Sequence, residues 1–132
     1  MTANAVTSRA LFGETIEETL RDSLTAAITT GNAKKSWTMP FTGFIIDVIC
    51  RIGTAGSGGT SDIIDVNKND TTIYTTQANR PTSLVGDTGM FSEAAEPEIT
   101  EFVAGDIITY DIDQICTTGG AIFDIAIVCG VR

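Results

Sequence analysis

Apolar and polar side chains alternate with a period of two residues over several segments, and this alternation constrains the fold more than any other feature. In segment 108–113, Ile, Tyr and Ile alternate with Thr and Asp, and Phe123, Ile125, Ile127 and Cys129 take every second position near the end. Successive side chains of a strand point to opposite faces, so the pattern predicts strands with one buried face. Turn signals at short intervals between such segments are typical of an antiparallel sandwich or barrel. The sequence therefore predicts a mainly β protein, an antiparallel β-sandwich of about eight strands over residues 37–132.

The longest alternating segment predicts a strand at the centre of this sandwich. Phe44, Ile46, Val48, Cys50 and Ile52 occupy every second position of the segment. Apolar residues at all of these positions predict that this face of the strand lies in the core. We expect Cys50, like Cys129 near the end of the chain, to be a reduced and buried thiol that behaves as a small apolar residue.

A hairpin is predicted between Asp62 and Tyr74. Segment 62–67 alternates as a strand, and Asn69-Asp70 resembles the Asn-Gly pair that favours the dihedrals of a tight hairpin turn. Arg80-Pro81 then ends the second strand, because proline cannot donate a hydrogen bond to a sheet. The preceding Gly-rich segment 53–61 contains no lysine and is not followed by a helical pattern. It is therefore predicted to be a loop between strands and not a phosphate-binding loop.

The run from Asp65 to Pro81, D-V-N-K-N-D-T-T-I-Y-T-T-Q-A-N-R-P, resembles a run that recurs in virion proteins of tailed bacteriophages. In those proteins it belongs to small, jelly-roll-like β-sandwich domains of capsid decoration proteins, head fibres and tail fibres. Related proteins usually have glycine where this chain has Asp70. The resemblance implies a virion component with a jelly-roll-like sandwich, and it brings no catalytic residues.

The N-terminal part has a different pattern, which predicts an α-helix from about Thr15 to Thr30. Thr15 and Glu18 match a capping box, and Gly31-Asn32 is a suitable helix end. The apolar residues at helical spacing form one stripe: Ile16, Leu20, Leu24 and Ile28. We divide the chain into an N-terminal arm, residues 1–36, and a sandwich domain, residues 37–132. The stripe packs either on its own domain or, as a partner contact, on a neighbouring subunit.

Composition limits the possible partners and cofactors. Seventeen acidic and eight basic residues give a formal charge of −9, which argues against nucleic-acid binding because that requires a positive surface. An acidic surface can instead match a basic surface on a protein partner. Three cysteines without C-x-x-C spacing, and no histidine, argue against zinc fingers and thiol-redox motifs, so no cofactor and no metal are expected. The sequence contains no visible signal peptide and no membrane-length apolar run, so we expect synthesis in a reducing cytoplasm and no membrane partner.

Two acidic patterns imitate functional sites. Asp65, Asn67 and Asn69 have the spacing of the first half of an EF-hand loop, but the glycine at the sixth position and the glutamate at the twelfth are missing. Asp111 with Asp113, or Glu96 with Glu98, could form a glycosidase pair. Neither of these two carboxylate pairs combines one buried, protonated acid with one ionised partner, as the glycosidase mechanism requires. We therefore expect a protein that is not an enzyme.

The resemblance implies a structural virion protein, in the head of a tailed phage and made in the host cytoplasm. The expected function is that of a trimeric capsid decoration protein, whose partners are its own copies in a homotrimer and the major capsid protein. The alternative is a tail or head fibre module that binds a host cell-surface glycan. Its candidate sugar-stacking residues are Trp37, Tyr74 and Tyr110.

Overall fold

The computed structural model describes residues 16–132 and shows ten strands and one short 3-10 turn, Gln77–Asn79. The strands are β1 Glu17–Leu24, β2 Gly31–Thr38, β3 Gly43–Thr54, β4 Ser61–Lys68, β5 Thr71–Thr72, β6 Thr82–Leu84, β7 Gly89–Ser92, β8 Glu101–Phe102, β9 Ile107–Gln114 and β10 Ala121–Val131. Over these residues, no helix is long and apolar enough to cross a membrane.

The strands form two five-stranded sheets in which every neighbouring pair is antiparallel. The first sheet, sheet A, has the order β1-β10-β3-β7, and β8 pairs with the other end of β3. The second, sheet B, has the order β2-β9-β4-β5, and β6 also pairs with β4. The prediction of an antiparallel β-sandwich is confirmed.

The core fills the space between the two sheets. Tyr110 of β9 lies across from Phe123 of β10, with 6.0 Å between the ring centroids. Both side chains are fully buried, as are Cys50 and Cys129, so the predicted burial of these two thiols is confirmed. Burying an aliphatic or aromatic side chain of this kind stabilises a fold by about 1.5–3 kcal/mol, and the core contains many of them. The phases predicted for β9 and β10 are correct.

The predicted helix over residues 15–30 is wrong, because Glu17–Leu24 is a strand. Thr15, where the capping box begins, lies outside the described residues. Leu20 pairs with Ile127 and Leu24 with Phe123, both of which point into the core. Apolar residues four positions apart lie on one face of a helix, but they also lie on one face of a strand, because four is a multiple of two. The spacing could therefore not distinguish the two structures.

The predicted phase of β3 is correct at one end of the strand and wrong at the other. Val48 pairs with Ile127, whereas Ile45 pairs with Cys129, so Ile46 is an extra residue in a β-bulge. The bulge turns the side chain of Ile45 into the core and leaves Phe44 and Ile46 only half-buried. Phe44 instead lies on the outside of sheet A, with the Arg132 guanidinium carbon 4.9 Å from its ring centroid.

The predicted hairpin turn is confirmed. Asn69 and Asp70 both have positive φ angles, 49° and 67°, as the central residues of a type I′ turn require. The Asn69 side chain adds two bonds that fix the turn on the sheet. Its amide donates to Asp106 Oδ1 at 3.0 Å, and its oxygen accepts from the Ile107 N–H at 2.9 Å.

Candidate functional site

The outer surfaces of the two sheets differ in chemistry. Within residues 16–132, these two surfaces are the candidate binding surfaces. On sheet B the outward side chains of β4 and β9 are polar or acidic. We call this surface the acidic face: Asp65, Asn67, Thr109, Asp111 and Asp113. On sheet A the outward side chains of the central strands are largely apolar. We call that surface the apolar face: Phe44, Ile49, Met90, Ile122, Ala126 and Val128.

Three carboxylates meet on the acidic face, where Asp65, Asp111 and Asp113 place oxygen atoms within 4.8 Å of one another. Asp65 accepts bonds from the Thr72 hydroxyl at 2.7 Å and the Val66 N–H at 2.8 Å. Asp111 accepts from the Ala33 N–H, also at 2.7 Å. The cluster is thus tied to the hairpin on one side and to β2 on the other.

Burial raises the pKa of Asp65 from its ordinary value of 3.8 to about 6, and the charge of Asp113 adds to the rise. The bond from the Thr72 hydroxyl opposes this change because it stabilises the ionised carboxylate. Arg80 forms an ion pair with Asp113 at 2.6 Å and so balances one of the three negative charges. Asp65 is therefore the member of the cluster whose ionisation is disfavoured.

The structure does not bring together the three residues of the EF-hand-like pattern. Asn67 donates its side-chain amide to Asp111 at 2.7 Å, and Asn69 binds Asp106 and the Ile107 N–H at the turn. Only Asp65 belongs to the carboxylate cluster. In an extended strand, residues two positions apart share a face but are separated by roughly 6.6 Å. The turn then directs Asn69 towards Asp106, so the spacing alone does not bring the three side chains to one point.

Each of the two candidate glycosidase pairs contains a carboxylate that binds another group of the chain. Asp113 is held by Arg80, and Glu98 accepts the Thr76 N–H at 3.0 Å, a bond that helps to lower the pKa of its exposed carboxyl. A carboxylate neutralised by a close arginine is a poor nucleophile or base for the paired-carboxylate mechanism. Glu96 is exposed.

The four residues predicted as a partner contact face the core of their own chain. Ile16 and Ile28 are buried, with 6% and 2% of their surfaces exposed. Leu20 and Leu24 are half-buried and pack against the core from the inner side of β1. The Ile28 N–H donates to the Gly120 carbonyl at 2.8 Å, which fixes the connection between β1 and β2. Their contact with a neighbouring subunit stays a prediction.

The predicted loop between strands covers residues 55–60, because the Gly-rich segment 53–61 begins with the last two residues of β3 and ends with the first residue of β4. Gly58 and Gly59 have positive φ angles and lie against Thr117, where added Cβ atoms would come within about 3 Å of that residue. Ser57 pairs with Thr118. The loop therefore packs on the segment before β10.

A buried carboxylate, which the sequence did not reveal, binds the loop between β9 and β10. Asp62 is almost fully buried and accepts the N–H groups of Cys116 and Gly120 at 2.8 and 3.2 Å. In the sequence, Asp62 stands at the start of an alternating strand and has the character of a surface residue. Its long-range partners give no local signal.

The aromatic side chains considered for sugar stacking pack in the core or against it. Tyr74 and Tyr110 are fully buried, and their hydroxyls donate to Glu93 at 2.6 Å and Asp22 at 2.7 Å. Burial raises the pKa of both tyrosines, so both hydroxyls stay protonated. Trp37 is half-buried, with its ring centroid 6.2 Å from that of Tyr110.

The apolar face is arranged in rows across β10, β3 and β7. One row places Ala126 beside Ile49, and the next places Asp124 beside Arg51 and Met90. The Arg51 guanidinium binds Asp124 at 3.1 Å. Met90 is 71% exposed, more than any other large apolar side chain of residues 16–132. The phase predicted for β3 already placed Ile49 on the outer side of the strand, but the sequence did not show that Ala126 lies beside it.

No family model matches the sequence, and no curated protein matches it. Among solved structures, the chain is similar to the Drosophila NLP core, a structure described in terms of pentamer formation and histone binding. The identity is 12% and the TM-score 0.45, over 89% of this chain and 98% of that one. It is also similar to a chain of the cyanophage Pam1 capsid asymmetric unit, with 12% identity and a TM-score of 0.40, over 88% of this chain and 86% of that one. At these scores, neither likeness bears on function.

Proposed function

We propose that this chain is a structural virion protein of a tailed phage, a trimeric capsid decoration protein that binds and stabilises the head shell. The observation that carries the proposal is the resemblance of residues 65–81 to tailed-phage virion proteins, because this run forms a hairpin turn and the short elements on either side of it. It spans the end of β4, the type I′ turn, β5 and the 3-10 turn.

The side chains of this run make the contacts that define the sandwich edge. Thr72 binds Asp65, Tyr74 is buried against Glu93, and Arg80 binds Asp113. A run with these roles specifies a fold and not a catalytic site. The resemblance therefore concerns the scaffold, which is the part that jelly-roll-like virion proteins have in common.

Binding, and not catalysis, is the activity that suits the described surface. The accessible carboxylates of the acidic face are those of Asp111 and Asp113, beside an Asp65 that is only 5% exposed, within a chain of formal charge −9. Such a surface is complementary to a basic patch on a partner, and opposite charges guide association and fix its orientation. We propose the major capsid protein as that partner, and the acidic face as the contact.

The glycan-binding alternative is less well supported by the side chains. Sugar recognition by stacking requires an exposed aromatic face, whereas Tyr74 and Tyr110 are fully buried and Trp37 is half-buried against the core. The decoration function needs no aromatic platform. We therefore favour the shell contact over the fibre module.

The test is to locate the protein on virions of the phage that encodes it. Gold-labelled antibody against the purified chain, viewed by electron microscopy, should mark the heads at many positions. Purified heads lacking the chain should bind added protein and become more resistant to heat, and binding should weaken as salt is raised. Label confined to fibres would favour the glycan-binding module, and unlabelled virions would overturn the virion function.

A further inference from the structure

We propose that the apolar face of sheet A is the surface through which copies of this chain associate. The inference deepens the proposed function and rests on it for the identity of the assembly, a homotrimer in which this face of each copy turns towards the three-fold axis. The occupant of the face is a second copy of this chain. The argument uses the apolar content of the face, its charge balance and the conformation of one residue on it.

Apolar and charged residues alternate along the outer side of the two central strands, where Asp47 pairs with Val128 and Arg51 with Asp124. Val128 lies one row from Ala126 and Ile49, and Phe44 lies over Gly130 near the far end. An antiparallel sheet that faces water normally carries polar residues on its outer side, as sheet B does. On its outer side sheet A nevertheless carries Met90 and Ile122, which are 71% and 47% exposed, and the half-buried Ile49. Exposed apolar patches with a polar rim mark interaction sites.

The charges on the apolar face favour a second copy as the occupant. Arg21, Arg51, Asp47 and Asp124 lie among its apolar residues, on β1, β3 and β10, so the two signs balance. Elsewhere the chain is strongly acidic, with a formal charge of −9. Two copies that met through their acidic faces would place like charges together, which costs several kcal/mol. Contact through the apolar face avoids this cost and allows each arginine to face an aspartate of the other copy.

The face also has a depression that can receive a side chain. It has a volume of about 370 Å³, and its lining includes Ser23, Ile49, Met90 and Ala126. Asp124 in this lining already has two partners, since it accepts from the Ser23 hydroxyl at 2.5 Å and from Arg51 at 3.1 Å. An apolar side chain can enter such a depression without leaving a buried polar group unpaired.

Ile122 has an unfavourable conformation on this face without an evident benefit to the single chain. Its φ is 55°, a region that a β-branched residue rarely adopts, and 47% of its surface is exposed. Gly53 makes room for it, because an added Cβ would come within 2.9 Å of the Ile122 Cβ. Strain of this kind persists where the surrounding structure enforces it, and it is concentrated at functional positions. Burial of Ile122 against a second copy supplies the missing benefit.

The first test replaces apolar side chains of the face with acidic ones. Met90→Glu and Ile49→Glu should each shift the protein from oligomer to monomer in sedimentation velocity. Each should raise the dissociation constant of the oligomer at least tenfold. The matched control is Ile107→Glu, because Ile107 is 43% exposed and lies on sheet B. The control should keep the oligomer. Met90 is so exposed that its substitution leaves the fold intact, which circular dichroism checks. An unchanged oligomer in both face variants, or a wild-type monomer at all concentrations, would overturn the proposal.

The second test separates an interface function of Ile122 from a merely structural one. Ile122→Gly should raise the melting temperature at concentrations where the protein is monomeric, because glycine adopts positive φ without strain. The same substitution should weaken self-association. A gain in stability with unchanged association would contradict the proposal. Head binding is measured separately, so association through this face without head binding would refute the decoration function alone.

Discussion

Asp65 shows how one buried carboxyl makes stability depend on pH. Its pKa is about 6 in the fold against 3.8 as its ordinary value, so the folded state binds the proton more tightly than the unfolded state. Between these two values the folded chain carries more bound protons. The contribution of Asp65 to the free energy of unfolding therefore rises as pH falls from above 6 towards 4, and it is lost again as pH rises through 6.

Asp65→Asn should accordingly raise the free energy of unfolding at pH 7.5 by about 2 kcal/mol. This is somewhat less than the free energy that corresponds to the rise in the pKa of Asp65. The amide cannot ionise, so it removes the repulsion from Asp113 while its oxygen can still accept the Thr72 hydroxyl. Urea unfolding at pH 5 and pH 7.5 measures the effect, which should be about half as large at pH 5, because the unfolded carboxyl with its pKa of 3.8 is still ionised there. Asp87→Asn is the control, because it removes one negative charge at an exposed position. Equal stabilisation by both variants would show that net charge, and not the cluster, is responsible.

The bulge in β3 makes a second prediction at the scale of single residues. Ile45→Ala should destabilise the fold by about 2–5 kcal/mol, the cost of truncating a buried Ile. Phe44→Ala should cost less although it removes more atoms, because Phe44 lies half-buried on the outer surface over Gly130. Thermal melts of dilute samples, in which association does not contribute, give the comparison. The reverse order of effects would mean that the strand has the uninterrupted phase that its sequence suggests.

At the scale of elements, the alternation of apolar and polar residues correctly predicted the strands whose polar residues face water. It did not predict strands in which a polar residue faces inward. β9 and β10 alternate cleanly, and their phases agree with the structure. β1 has Asp22 on its inner side, where the Tyr110 hydroxyl donates to it at 2.7 Å and Lys35 lies 4.0 Å away. These partners are distant in the chain, so the sequence shows Asp22 only as an interruption of a strand pattern. The same limit applies to Asp62 and to the bulge at Ile46.

The hairpin between β4 and β5 allows a prediction in which two neighbouring residues respond oppositely to the same substitution. Asp70→Gly should raise the stability by about 1 kcal/mol, the lower end of the cost of a left-handed conformation for an L-residue. Asn69→Gly relieves a similar φ but removes the side-chain bonds to Asp106 and the Ile107 N–H. It should therefore lower the stability. Chemical denaturation of the two variants decides this, and a loss of stability in Asp70→Gly would argue against the type I′ geometry.

At the scale of the whole molecule, the candidate surfaces follow from the asymmetry between the sheets. Composition predicted an acidic protein but not that the acidic and apolar residues lie on opposite outer faces. That separation depends on which side of each strand faces outward, and therefore on the register of β3 with β10 and of β4 with β9. We propose that the decoration protein uses one of these surfaces for its own copies and the other for the shell.

The last prediction concerns the division into an arm, residues 1–36, and a body, residues 37–132. Deletion of residues 1–32 removes all of β1, the buried Ile28 and the start of β2. It should lower the melting temperature strongly or abolish cooperative unfolding, because β10 loses its neighbour and the core loses side chains worth about 1.5–3 kcal/mol each.

Deletion of residues 1–15 removes none of these elements and should leave the melting temperature of the sandwich close to that of the full chain. Circular dichroism and the fluorescence of Trp37 report on both truncated chains. Head binding by the shorter truncation then measures what residues 1–15 add to attachment, without the complication of unfolding. A chain without residues 1–32 that still melts cooperatively at the original temperature would show that β1 is dispensable to the sandwich. The division at residue 36 would then be the correct description.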